Sequence, residues 1–165
     1  MPVEIRRLTP ADAAIWKAFR IEMLTTAPRA FGASLTDTKS RSLQDFADWL
    51  EKSHIFGFEN PDLVASAAWY SDDSVISQHR AKLISVYVRP SHRGRGLVAQ
   101  LVTTCIRDAQ AAGKIQMELD VAADNHAAIR SYERLGFEKT GFLPRALCHD
   151  GIYTDDFQMM LRLDT

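Results

Sequence analysis

Cysteine is scarce in this sequence, with two residues in 165, Cys105 and Cys148, far apart. No Cys-x-x-Cys pair and no Cys/His group at zinc spacing occurs. A disulfide framework and the common zinc modules are thereby excluded, and a reducing compartment is expected. Excess charge is lacking as well: 20 Lys+Arg against 21 Asp+Glu leave a net charge of -1. No global field draws the chain to nucleic acid or to a membrane surface, so any anion site must be local. No apolar run is long enough to span a bilayer. The stretch Met1 to Thr9 alternates charged and apolar residues and lacks the apolar core of a signal peptide. These absences together predict a cytoplasmic protein. Also missing are the Gly-Lys-Ser/Thr of a P-loop and the Gly-x-Gly-x-x-Gly of a dinucleotide fold. Repeats, low-complexity tracts and linkers are absent, which predicts one continuous domain over residues 1–165.

What is present is an α/β pattern. Val3 to Leu8 alternates and reads as a strand. Thr9-Pro10-Ala11-Asp12 opens a helix, with Thr9 as cap, Pro10 at the first position and Asp12 at the positive end. Ile15, Trp16, Phe19 and Met23 follow at helical spacing, and Pro28 lies past the helix end. Leu43 to Lys52 reads as a second helix with Phe46, Trp49 and Leu50 on one side. Strands are expected near Ile55–Glu59, Leu63–Tyr70 and Lys82–Val88, with Asn60-Pro61-Asp62 as a turn and Ser71 to Gln78 as a loop. A helix over about Leu97–Ala112 closes at Gly113. Ile115–Val121 is a strand and Asn125–Leu135 a helix closed by Gly136. Two last strands, Phe137–Leu143 and Tyr153–Leu163, flank the hairpin signal Asp150-Gly151. The order predicts a central mixed sheet, mostly antiparallel, with helices on both faces.

The most informative stretch is Leu83 to Leu101, LISVYVRPSHRGRGLVAQL. A buried strand ends at Val88, Pro90 stops it, and Arg93-Gly94-Arg95-Gly96 opens a helix. Glycine lets the backbone turn and approach a ligand. The free amides of a first helical turn, with the helix dipole, favour a phosphate. Arg89, Arg93 and Arg95 add positive charge, and His92 adds donors. On residue types alone, the loop could also be a plain tight turn or a basic RNA-binding patch. The patch is short and has no adjacent aromatic platform.

Strand, basic glycine loop and helix are followed by Asn125-x-x-Ala128-x-x-x-Tyr132-x-x-x-Gly136-Phe137. Together these resemble the GNAT superfamily of N-acetyltransferases. The family's first motif, R/Q-x-x-G-x-G/A, falls on Arg93, Gly96 and Val98, where valine departs from the usual small residue. The second motif matches at every named position, and the resemblance is strong over residues 82–137.

The resemblance implies a sheet that splays between the strand ending at Val88 and the strand ending at Val121. The pantetheine arm of acetyl-coenzyme A would lie in the splay against the backbone of Val86, Tyr87 and Val88. The amides of Arg93, Gly94, Arg95, Gly96, Leu97, Val98 and Ala99 would hold its pyrophosphate. These are strand addition and helix-end anion binding. Asn125 matches the asparagine that contacts the cofactor arm, and it equally suits a helix N-cap. Tyr132 matches the tyrosine that protonates the leaving thiolate. It also reads as a core aromatic. Asp120 stands where some relatives that modify protein N-termini carry an acidic base. A surface ion pair is the plainer reading, and Glu118 shares its face. A backbone N–H at the bulged end of the Val86 strand would stabilise the carbonyl oxygen.

The acceptor side is read less well. Asp155 and Asp156 could attract a cationic amine. His54, His79 and His149 have no motif support, and Cys105 belongs to a helix core stripe. Pro28–Ser34 and Pro144–Asp156 resemble stretches of bacterial GNAT proteins of undefined substrate. The resemblance therefore implies direct transfer of acetyl to a small-molecule, amino-acid or peptide amine, with no metal. It implies no nucleic-acid or membrane partner, and a homodimer by analogy. A non-catalytic acyl-coenzyme A sensor of the same fold is the alternative.

Overall fold

The computed structural model describes residues 4–165; Val3, expected to open the first strand, lies outside the described residues. Seven strands form one sheet in the order β1-β2-β3-β4-β5-β7-β6. They are β1 Ile5–Arg7, β2 His54–Glu59, β3 Leu63–Tyr70, β4 Arg80–Val88, β5 Gln116–Ala122, β6 Glu138–His149 and β7 Ile152–Arg162. Every neighbouring pair is antiparallel except β4 and β5, which are parallel. That parallel pair needs a crossover, and helix α4, Leu97–Ala111, supplies it. The expected mixed, mostly antiparallel α/β sheet is what the chain forms.

Helices cover both faces. On one side lie α1 (Ala13–Thr26), α2 (Leu35–Ser40) and α3 (Leu43–Lys52); on the other lie α4 and α5 (His126–Arg134). Trp16, Phe19 and Met23 of α1 are buried with Phe46 and Leu50 of α3 against Ile55, Ala68 and Tyr87 of the sheet. Leu101, Val102 and Cys105 of α4 and Ile129 and Tyr132 of α5 pack on Met117, Leu119 and Met159. Side chains as large as these contribute roughly 1.5–3 kcal/mol each on full burial. The inner strand β3, covered on both faces, is buried along all but its last residue.

Three expectations are corrected. Ile15 is 48% exposed rather than part of the α1 stripe. Helix α2 lies between the two predicted helices; its sequence LTDTKS carries no apolar periodicity, and Ser34 caps it by accepting from the Asp37 amide at 3.2 Å. β6 runs on to His149, past the predicted end at Leu143, because a bulge absorbs Pro144, Arg145 and Ala146 opposite the single residue Asp155. The turn Asp150-Gly151 has both residues at positive φ, as the hairpin signal requires.

Two polar clusters hold the frame. Arg6 bridges Asp12 at 2.8 Å and Glu59 at 2.7 Å, joining the start of α1 to β1 and β2. That guanidinium, with the Thr9 amide, holds the Asp12 carboxyl below its usual range. Asp108 of α4 accepts from Trp69 at 2.9 Å and contacts the His54 ring nitrogen at 2.6 Å, while His54 stacks on Trp69. This clamp fixes α4, and with it the loop at its N-terminus. Among the described residues no helix is long and apolar enough to cross a membrane.

Candidate active site

β4 and β5 pair only at Arg80–Gln116, Ala81–Met117 and Lys82–Glu118. Beyond that the strands part. The edge of Leu83–Val88 facing β5 has no ladder partner, and neither has the facing edge of Leu119–Ala122. An extended ligand with amide groups fits such a gap by strand addition.

A bulge shapes the β4 side. The register of β3 against β4 shifts between Ser66 and Ala68, and Ser85 sits at φ 55°. Ile84 and Ser85 consequently both face α1, while Val86 and Val88 face α4. Without the bulge, strict alternation would exchange those faces.

The loop at the mouth of the splay has the predicted conformation. Gly94 and Gly96 adopt φ 79° and 73°, and a Cβ at either would meet nothing within 4 Å. Conformation alone, not crowding, calls for glycine there. Gly96 is the N-cap of α4, with no side chain to satisfy the first amides, so the turn presents free N–H groups at a positive helix end. Of the three arginines, Arg89 is committed to Glu22 at 2.7 Å. Arg93 donates to the Val88 carbonyl at 3.0 Å and lies over the Tyr87 ring. The splayed edges and the free amides both fit a coenzyme A arm and its pyrophosphate.

Tyr132 is buried beside this cleft, edge-on to Phe137 at 5.8 Å. Burial pushes its hydroxyl well up from the ordinary phenol range, so at neutral pH it is a proton donor. Asn125 caps α5, its side chain accepting from the Ala128 amide at 3.2 Å, which leaves its amide NH2 available.

On the opposite face of β5, Asp120 is ion-paired with Lys82 and Glu118 with Arg80. Asp120 is thus ion-paired while standing where the strands part. Asp156 of β7 pairs in register with Ala122 and shares that face. It is 8% exposed, and one carboxylate oxygen has no partner. Asp155 is used structurally: its carboxylate accepts from the Arg145 amide at 2.8 Å.

Three residues of this half carried no signal in the sequence reading. Arg20 is 6% exposed, on the apolar stripe of α1. It donates to Ser85 at 3.2 Å, and its charge lies among the rings of Trp49, Phe31 and Trp16 with no carboxylate partner. Burial lowers its pKa to about 10, and it remains a cation at neutral pH. An arginine one position after Phe19 in an otherwise apolar stripe was the available signal. His149 donates to the Phe31 carbonyl at 3.2 Å, and Thr154 has a buried hydroxyl with no partner. His54 and Cys105 belong to the frame and the core. No group of three or more acidic, His or Cys residues suited to a metal occurs among the described residues.

A family model described as the acetyltransferase (GNAT) family matches residues 19–137. A curated L-methionine sulfoximine/L-methionine sulfone acetyltransferase of Salmonella typhimurium is 30% identical over 97% of this chain and 94% of its own length. An L-amino acid N-acyltransferase of Escherichia coli is 35% identical over 48% of this chain and 46% of its own length. Among solved structures, a Salmonella typhimurium acetyltransferase with its cofactor acetyl-CoA superposes with a TM-score of 0.85 at 23% identity. That match covers 100% of this chain and 96% of the other and shows the shared fold.

Proposed function

Since the chain belongs to the acetyltransferase (GNAT) family and is an acetyl-coenzyme A-dependent N-acetyltransferase, we propose that its acceptor is a free α-amino acid or a close analogue. The observation that carries this reading is Arg20. A buried guanidinium without a carboxylate is costly unless an anion joins it. It stands on the α1 face, beside the Ser85 bulge and under Phe31. A free amino acid brings a carboxylate next to its amine; a peptide N-terminus or a simple amine does not. Two curated relatives, named for methionine sulfoximine or sulfone and for L-amino acids, support the same class.

In this reading the donor arm lies along Val86, Tyr87 and Val88, and its pyrophosphate meets the amides from Arg93 to Ala99. Asn125 contacts the arm through its amide. The attacking nitrogen forms a bond to the thioester carbon, and the carbon–sulfur bond breaks. Tyr132 gives its proton to the departing sulfur. Asp120 draws the cationic amine to the mouth of the splay. Residues 1–165 act as one acetyltransferase domain in the cytoplasm, without nucleic-acid or membrane partners. The exposed Phe142, Leu143 and Tyr153 of the last hairpin support a homodimer.

Release of free coenzyme A, measured over a panel of amino acids, their methyl esters and simple amines, tests the acceptor class. Amino acids should turn over at least about tenfold better than their esters, and Arg20→Gln should raise KM for the acid but not for the ester. Esters and amines that react as well as acids in the unaltered enzyme would overturn it.

A further inference from the structure

The unpaired oxygen of Asp156 has company. Thr154, two residues before it on β7, shares its face, and Leu147 and His149 stand in register with Thr154 and Ile152 on that face. The Thr154 hydroxyl and the His149 Nδ1 are buried without partners, as is the Asp156 oxygen. A roof closes over this patch: Phe31 accepts from His149 Nε2, and Gly32 lies against Leu147. With Nε2 carrying the proton, Nδ1 is a bare acceptor. Three acceptors from one hairpin face thus stand without a donor. Buried acceptors are ordinarily satisfied, so a partner is missing. A ligand that satisfies the neighbouring Asp156 carboxylate and Thr154 hydroxyl together is a cation with several N–H groups, an ammonium; the His149 nitrogen, in register with Ile152, lies farther along the strand.

The position suits the reaction. Asp156 lies opposite Ala122, at the open end of the splay. Asp120, in register with Gln158, is its diagonal neighbour and carries Lys82.

We propose that Asp156 is the proton acceptor of the reaction, holding the acceptor's ammonium together with Thr154 and taking one of its protons before attack. The inference rests on the reading that the face under Phe31 receives the acceptor. The first ammonium proton passes to the Asp156 carboxylate and on to water. The freed nitrogen pair then forms the bond to the thioester carbon, and sulfur leaves with the electrons of the broken bond. Tyr132 protonates the sulfur, and the second nitrogen proton replaces the one Tyr132 gave.

Several charges act on Asp156. Burial and the neighbouring Asp120 and Asp155 raise its pKa, while Lys82 lowers it. Arg145 lies in the β6 bulge opposite Asp155, His149 stands farther along the same face opposite Ile152, and Arg29 is the one titratable residue in the covering loop. A carboxylate held above its ordinary range is a better base near neutral pH.

The test is the pH profile of kcat/KM, run with whichever panel amine the unaltered enzyme acetylates fastest. Asp156→Asn should lower kcat by about 10²–10⁴-fold with acetyl-coenzyme A affinity unchanged by calorimetry, and it should abolish the acidic limb. Asp156→Glu should restore part of the rate. A drop of less than about threefold, or a persisting acidic limb, would overturn the proposal. Asp120→Asn provides a test that does not depend on Asp156→Asn folding. Removing that charge should move the acidic limb to lower pH, and an unmoved limb would equally overturn the proposal. If Asp156→Asn is inert while Arg20→Gln is impaired, only the role of Asp156 falls. If both behave as the unaltered enzyme, the acceptor face itself has been misplaced.

Discussion

The two halves of the cleft are built on different terms. On the donor side, from β4 through α5, recognition belongs to the backbone: unpaired strand edges, two glycines at positive φ and the free amides of α4. Tyr132 is the one side chain there with a chemical task. On the acceptor side, between α1 and the β6–β7 hairpin, recognition belongs to side chains, and Arg20, Thr154, His149 and Asp156 are left with unmatched polar atoms. The difference teaches how one fold keeps a fixed donor while changing its acceptor. Backbone geometry tolerates many sequences around it. A set of buried charges is rebuilt by a handful of substitutions.

The sharpest way to break the contrast is Tyr132→Phe. The ring keeps its contact with Phe137, so acetyl-coenzyme A should bind as before while kcat falls by about 10²–10⁴-fold. An unchanged kcat would make the donor side purely backbone. A milder effect should follow from Gly96→Ala. Space is open at that site, so only the left-handed conformation resists, at about 1–2 kcal/mol. That resistance should appear as roughly tenfold weaker acetyl-coenzyme A binding with acceptor KM unchanged, read by calorimetry and steady-state kinetics. The smallest change sharpens the other side. Asp156 is raised in the folded protein, so its ionisation opposes folding at any pH above that raised value, and the penalty vanishes as pH falls below the unfolded value near 3.8. Asp156→Asn should therefore stabilise the fold near neutral pH by about 0.5–2 kcal/mol, as relief of functional strain commonly does. Thermal melts should show that gain at pH 7 and lose it near pH 3.

What could be read from the sequence follows the same division. β3 and α3 fall on their predicted bounds, and α4 ends within one residue of its predicted end, because periodicity, caps and glycines are local signals. The glycine loop was legible for the same reason: only glycine enters those conformations without strain. Helix α2 was missed because its six residues, one leucine and five polar, carry no stripe, and the far end of β6 because Pro144 interrupts the alternation. The acceptor groups stayed hidden for a longer-range reason. Thr154, Asp156 and His149 share a face through cross-strand register, and a loop more than a hundred residues earlier in the chain covers them. The sequence marked Asp155 and Asp156 alike as able to attract a cationic amine, though the two have opposite fates, one tied to the Arg145 amide and the other left unmatched.

The parting of β4 from β5 also bears on how long the protein lasts. Three residue pairs are all that join the two strands, so this seam is a place where local opening should need little free energy. A donor molecule laid into the seam stabilises the folded chain by about 2.7 kcal/mol at a hundred times its dissociation constant. When carbon supply is rich and acetyl-coenzyme A abundant, proteases should find the seam shut. In starvation it should open more often, so the enzyme's half-life would follow the supply of the metabolite it consumes.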